Sequence, residues 1–316
     1  MQLAVIQVEI HMKKRIFLLL LVIISILVYN YYNEDTTELK IAQNNSSDEY
    51  LELEIGKMRY KVYGNENQNT LVLIHGFNGY MECWNPNINS LVEAGYKVVL
   101  YDLWGRGLSD RPRVDLKIEV FRTQLNDLIE FIDSDKVSLI GSSFGCVIAS
   151  DYTLNYPNQV EKLIFIGPAG WPSDQNTPSS LIKVPILSQT VFHYFGQNII
   201  KPKVEDYLYD KKNHNWAVEY WEKYASYDGY SRSALSALQH SPVIDNLEGW
   251  KKLGKQEKSI LFIWGKNDVS FPYSNAEKAK KLIPNSKVIG IKNSAHWVNI
   301  EKPELVNNAM ISYLNE

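Results

Sequence analysis

Cysteine is nearly absent: the 316-residue chain carries only Cys83 and Cys146. A multi-bridge disulfide framework and a cysteine-rich zinc site are therefore excluded. An excess of one charge is also missing. Lys and Arg number 33 against 36 Asp and Glu, for a net charge of −3. No long basic run breaks this balance, which argues against a nucleic-acid binder. Glycine and proline are modest, at 17 and 12, so the chain is neither collagen-like nor of low complexity. With 45% hydrophobic and only 22% charged residues, it is too apolar to be disordered. What remains is a globular chain of one or two domains at about 150 residues each, or one larger α/β domain.

Only one long apolar run is present. It extends from Ile16 to Val28, interrupted by Ser25, with Lys13-Lys14-Arg15 before it and Tyr29, Tyr31 and Tyr32 after it. Basic residues, an apolar stretch and interfacial tyrosines are the order of a helix entering a bilayer. A span takes about 17–25 residues, which the run reaches only if the tyrosines are counted. The rival is a cleaved signal peptide, but residues 28–32 offer no small residues for cleavage. The reading is a signal-anchor helix at about 16–32 within an N-terminal membrane anchor, residues 1–33. The basic flank keeps its N-terminus cytoplasmic and places the rest of the chain outside the cytoplasm. Met12-Lys13-Lys14-Arg15 resembles a natural start of translation. Residues 34–49 read as a polar tether.

The body, residues 50–316, alternates strands and helices. Leu51–Ile55 and Met58–Tyr63 alternate with period two around Gly56-Lys57, as an antiparallel hairpin does. Short apolar runs without alternation follow at 70–74, 97–101, 137–140, 163–166, 260–264 and 287–291. Such strands are buried on both faces, which implies a parallel sheet covered by helices. Helical stretches fall between them, at about 86–94, 117–133, 144–155, 274–283 and 302–314. The expected fold is a doubly wound, mostly parallel α/β sheet. One region departs from this: residues of about 170–250 hold many aromatics, among them Tyr207, Trp216, Trp221 and Tyr230. That is too long for a structureless loop, and it reads as a helical cap inserted after the sixth strand.

Gly141-Ser142-Ser143-Phe144-Gly145 follows the run 137–140 and opens a helix. This is G-x-S-x-G between strand and helix, a nucleophile elbow centred on Ser143 rather than Ser142. Small residues two before and two after the serine relieve a cramped turn, and the helix N-terminus favours a developing oxyanion. His75-Gly76-Phe77-Asn78-Gly79 ends the strand 70–74, where the backbone N–H of Phe77 would join that of Phe144 as oxyanion donors. Trp264-Gly265-Lys266-Asn267-Asp268 ends another strand and delivers a carboxylate to the same edge. Asn293-Ser294-Ala295-His296-Trp297 delivers an imidazole before the last helix.

In these motifs, and in their order Ser143, Asp268, His296, the sequence resembles the α/β-hydrolase superfamily, in the branch with a lid after the sixth strand. Tyr101-Asp102-Leu103-Trp104-Gly105-Arg106-Gly107-Leu108-Ser109-Asp110 is similar to that branch's loop after the fourth strand. The resemblance runs from about residue 50 to the C-terminus, the cap excepted. It implies Ser143 as nucleophile, His296 as general base, Asp268 as orienting acid, and no metal or organic cofactor. Dehalogenases and epoxide hydrolases also resemble this sequence but need aspartate where Ser143 stands.

Other residues invite blander readings. His11, His193, His214 and His240 lie outside the motifs and read as solvated or packed. His75 is expected to shape the oxyanion loop, and Asp102 and Asp110 to be structural. Asp174 is a rival acid, though Asp268 fits better. Arg232 reads as a surface arginine, the rival reading being a contact to a substrate carboxylate. The expected function is a membrane-tethered serine esterase or monoacylglycerol-type lipase, acting on a small ester or lipid-like substrate. Other chemistries of the fold stay open, among them C–C bond hydrolysis and an aminopeptidase, as does a non-enzymatic or very slow ligand receptor on the same scaffold.

Overall fold

The computed structural model describes residues 2–172, 180–184 and 186–316. Eight strands form one sheet in the order β1-β2-β4-β3-β5-β6-β7-β8. β1 (Glu49–Leu53) and β2 (Gly56–Tyr63) form the antiparallel hairpin, and β2 also pairs antiparallel with β4. β3 (Asn69–Ile74), β4 (Tyr96–Tyr101), β5 (Val137–Ser142), β6 (Val160–Ile166), β7 (Ile260–Gly265) and β8 (Lys287–Ile291) are parallel.

The inner strands lack alternation because both faces are covered. Leu71 and Leu73 pack on one side with Ile88 and Leu91 of α3 (Asn85–Glu93) and with Val306 and Met310 near the C-terminus. Val72 and Ile74 point to the other side, where Leu125, Leu128, Val147 and Leu253 pack. The helices on that side are α4 (Ile118–Phe131), α5 (Phe144–Asn155) and α9 (Leu247–Leu253). β3 connects to β4 on one side, whereas β5 connects to β6 on the other. The gap between the ends of β3 and β5 is therefore the topological switch point, where open α/β sheets bind ligands. Between β6 and β7 run α6 (Leu187–Glu205), α7 (Lys211–Ala225), α8 (Tyr230–His240) and α9. The chain closes with α10 (Asn275–Leu282), α11 (Val298–Glu301) and α12 (Pro303–Leu314).

The N-terminal expectation is corrected here. Among the described residues, no helix is long and apolar enough to cross a membrane. The first helix, α1 (Gln2–Tyr32), is long but includes Lys13, Lys14 and Arg15. Its apolar part, Ile16 to Val28, rises only about 20 Å at 1.5 Å per residue, against a hydrocarbon core of about 30 Å. The tyrosines that were to complete the span carry polar tips. The spanning anchor, the membrane as partner and the placement of the domain outside the cytoplasm all fall with it.

Residues 34–49, read above as a tether, carry α2 (Thr37–Asn45), with Leu39 and Gln43 buried. Gln43 donates to the carbonyl of Leu108 at 2.8 Å. The buried side chain of Glu34 pairs with Arg232 at 2.9 Å and Arg113 at 3.1 Å. Arg232 is thus buried and paired rather than exposed.

A second ion cluster lies deeper. Arg59 of β2 faces Asp48 at 2.6 Å, Glu82 at 2.7 Å and Asp102 at 3.0 Å. Burial pushes the Asp48 carboxyl up, but hydrogen bonds from Lys61 and Ser46 and the Arg59 charge outweigh it and hold its pKa at about 2. Breaking a buried cluster by deleting one sign leaves uncompensated charge, at about 3–5 kcal/mol. Arg59→Met, which removes the shared cation from Glu82 and Asp102 and leaves Asp48 only Lys61, should lower unfolding stability by that amount in urea. A loss below about 1 kcal/mol would mean that the cluster is well solvated.

Candidate active site

β5 ends in the elbow. Ser143 has φ 53° and ψ −116°, a left-handed conformation that a non-glycine residue holds only where its surroundings enforce it. Its N–H donates to the carbonyl of Ile166 at 2.9 Å, and its own carbonyl accepts from Cys146 at 3.0 Å and Ala169 at 3.2 Å. α5 then packs so tightly that a Cβ on Gly145 would lie 2.1 Å from the Ile74 carbonyl oxygen. That contact is why the elbow motif requires glycine there.

Asp268 and His296 arrive from the ends of β7 and β8. Their loops are stitched together: Lys266 N–H donates to Ile291 at 2.8 Å and Asn267 N–H to Ser294 at 2.9 Å. One Asp268 oxygen accepts from the N–H groups of Ser270 and Phe271 at 2.8 and 2.9 Å. The other lies 2.7 Å from His296 Nδ1. His296 is 1% exposed and, among the described residues, its Nε2 is buried without a hydrogen-bond partner. Ser143 is 6% exposed and lies at the same sheet edge. Its hydroxyl does not bond to Nε2 here, a looseness common in ligand-free sites.

The loop after β3, read from sequence as the oxyanion loop, packs directly on the elbow, since a Cβ on Gly76 would sit 2.8 Å from the Ser143 Cβ. Among the described residues, neither Phe77 nor Phe144 donates its N–H to another protein group. His75 sets the loop: its Nδ1 lies 2.8 Å from the Gly76 carbonyl, and its Nε2 accepts from Leu103 N–H at 3.0 Å. These partners require a neutral ring protonated at Nδ1. Burial drives its pKa down to about 3.

The inserted helices close over this edge. The Tyr207 ring lies 4.7 Å from the His296 ring, and Trp297 N–H donates to the Tyr207 carbonyl at 3.0 Å. Asn78 donates to Tyr207 Oη at 2.9 Å and accepts from Tyr230 Oη at 3.0 Å. Glu301 accepts from the N–H groups of Ala295, Tyr209 and Asp210 at 2.7–2.8 Å, holding the histidine loop to the insertion. Sequence reasoning did not identify Asn78, Arg106 or Glu301, and it named Tyr207 only as one of the aromatics of the insertion. Asn78 and Arg106 lay inside quoted motifs, whereas nothing local marks Glu301.

Asp174 lies outside the described residues. His240 sits 3.4 Å from Asp115 at the surface, and His193 packs edge-on against Tyr194. Both cysteines are buried; burial pushes the Cys83 thiol up to about 12, and Cys146 is pushed up in the same way. Among the described residues, no group of three or more His, Cys, Asp or Glu could hold a metal ion.

Residues 69–303 match the family described as the alpha/beta hydrolase fold. The chain belongs to this family. The hydrolase is 27% identical over 263 residues to an AB hydrolase superfamily protein, YfhM, of Bacillus subtilis, covering 79% of this chain and 92% of that one. It is 23% identical to a 2-hydroxy-6-oxo-6-phenylhexa-2,4-dienoate hydrolase of Comamonas testosteroni, covering 78% of this chain and 87% of the relative. Among solved structures, it superposes on a bromoperoxidase from Bacillus anthracis with a TM-score of 0.73 at 23% identity, over 85% of this chain and all of the other. An esterase from Exiguobacterium antarcticum gives 0.71 at 21% identity over the same shares. At those identities the two structures establish the fold alone.

The buried neutral His75 has a stability consequence. Its folded pKa is depressed, so the unfolded chain binds the extra proton. This part of the stability is complete above about pH 6.5 and is lost as pH falls towards 3, by at most about 1.4 kcal/mol per unit. His75→Gln, which keeps one donor and one acceptor, should flatten the decline between pH 6.5 and 4 in denaturant titrations. Parallel curves for the two proteins would show that His75 is protonated in the fold.

Proposed function

We propose that this hydrolase cleaves carboxylic esters of small, moderately apolar acids through an acyl-enzyme. The observation that carries the reading is the buried His296, fixed to Asp268 through Nδ1 at 2.7 Å and left with a free Nε2. A hydroxyl is a weak nucleophile until a neutral imidazole takes its proton. Ser143 Oγ attacks the carbonyl carbon and His296 Nε2 takes the proton. The Asp268 carboxylate holds the ring's tautomer and stabilises the imidazolium. The oxyanion is met by the N–H groups of Phe77 and Phe144. His296 then returns the proton to the departing alcohol. Water repeats the sequence on the acyl-serine and releases the acid.

Support for an ester comes from the insertion's Tyr207, whose ring lies 4.7 Å from that of His296 and offers an apolar face beside the proposed base. A second reading, hydrolysis of a C–C bond in a diketone, is favoured by the name of the Comamonas testosteroni relative. The two readings share the three residues and differ only in the leaving group.

Ser143→Ala should abolish turnover of p-nitrophenyl esters with the fold intact, whereas Ser142→Ala should keep most of it. Asp268→Asn should cost about four orders of magnitude in kcat. A reversed pattern for the two serines would move the nucleophile. The choice of bond is tested by comparing p-nitrophenyl acetate to octanoate with a 2-hydroxy-6-oxo-dienoate on the same preparation. A kcat/KM for the dienoate at least tenfold above every ester would replace the ester reading with the C–C one.

A further inference from the structure

The nucleophile, base and acid leave one buried charge unexplained. Arg106 is 2% exposed and, among the described residues, has no acidic partner. The other buried arginines are treated differently. Arg59 meets three carboxylates, Arg232 meets Glu34, and Arg111 feels Asp102 and Asp110. The guanidinium of Arg106 lies between two rings, 4.7 Å from the centre of Phe77 and 5.1 Å from that of Tyr230. Its Nε donates to the Phe77 carbonyl and its Nη1 to the Gly105 carbonyl.

An unpaired buried cation costs several kcal/mol, which aromatic faces and two carbonyls offset only in part. An apolar side chain of similar volume would avoid that cost. The position of the charge suggests why it is kept. Its principal anchor is the carbonyl of Phe77, the residue whose N–H is assigned to the oxyanion, and the preceding Gly76 touches Ser143. One residue of backbone spans only about 3.5 Å, so the charge stands close to where negative charge develops. In a site closed to water, that proximity is worth far more than it would be in solution.

We propose that Arg106 is a positioning residue of the oxyanion site, fixing the Phe77 backbone through its carbonyl and supplying the positive field that the tetrahedral anion meets. The inference rests on the assignment of Ser143 and Phe77 above. It differs from a purely structural role, because it places the effect in the transition state rather than in substrate binding or folding.

The test uses the full chain with Arg106→Lys, which keeps the charge, and Arg106→Gln, which keeps a donor. Wild-type protein is first labelled at Ser143 with an uncharged fluorophosphonate. No labelling would overturn the reading of the site and this inference with it. With labelling established, kcat for p-nitrophenyl butyrate should fall about 10-fold in Arg106→Lys and about 100-fold in Arg106→Gln, with KM nearly unchanged. The labelling rate, and the affinity for an alkyl boronic acid that binds as a tetrahedral anion, should fall in the same order. Equal activity of the two variants would overturn the proposal alone. So would a loss confined to KM, or confined to esters bearing a carboxylate, since Arg106 would then grip substrate. Should Arg106→Gln fail to fold, Arg106→Lys decides: unchanged kcat and labelling rate overturn the proposal.

Discussion

The carboxylate of Asp102 is the interaction on which the site's architecture hangs. The residue is fully buried at the end of β4. One oxygen accepts from Met81 N–H at 2.8 Å, just beyond the oxyanion loop. The other accepts from Leu108 N–H at 2.9 Å and pairs with Arg59 at 3.0 Å. Its main-chain carbonyl accepts from Ser109 Oγ and Gln124 Nε2. A single charge thus ties the segment after β3, the loop after β4 and the antiparallel strand β2. A buried carboxylate is tolerable only when fully hydrogen-bonded and countered, so these segments are constrained together. The proposed oxyanion loop after β3 inherits its shape from that constraint, through Met81 on one side and through His75, which receives Leu103 N–H, on the other.

Much of this architecture was legible because it is imposed locally. Strands buried on both faces cannot alternate, and β3 to β7 lie within three residues of where unalternated runs place them; β8, at the sheet edge, keeps its place but exposes Lys287 and Ile289. The elbow announces itself through glycine, since Gly145 has no room for a side chain. Asp268 and His296 were findable as titratable groups just past strand ends. Hidden features depend on residues far apart in sequence. Glu301 holds Tyr209, 92 positions away, and Asn78 reaches Tyr230 across 152. No window of sequence contains both halves of such a pair. The N-terminal reading went wrong for another reason: hydropathy reports what a helix face tolerates, while crossing a bilayer also demands length.

The aromatic wealth of the insertion resolves into specific jobs. Tyr80 of the core stacks on Tyr220, and its hydroxyl donates to the Ala217 carbonyl. Trp171 stacks on Trp250 at 5.5 Å, and Trp221 donates to Tyr230 Oη at 2.6 Å. These rings bond the insertion to itself and to the sheet edge. Tyr207, against His296, is the one that reaches a proposed catalytic side chain. Hydrolases of this family with different leaving groups share the sheet, so discrimination between substrates falls to contacts like this one rather than to the elbow.

The placement of Glu34 has a mechanical consequence. Its carboxylate grips Arg232 on α8, the next main-chain N–H binds Asp228 at 2.8 Å, and further along Asp48 is clamped by Arg59 in the sheet. The segment between them is a short guy-rope, staked in the sheet at Arg59 and tied to α8 of the insertion at Arg232. Among the described residues, the insertion tied down by this rope includes Tyr207, which packs against the buried ring of His296. Thirteen residues lie between Glu34 and Asp48, so the seating of the insertion on the sheet is written partly into a stretch of chain outside the proposed catalytic residues.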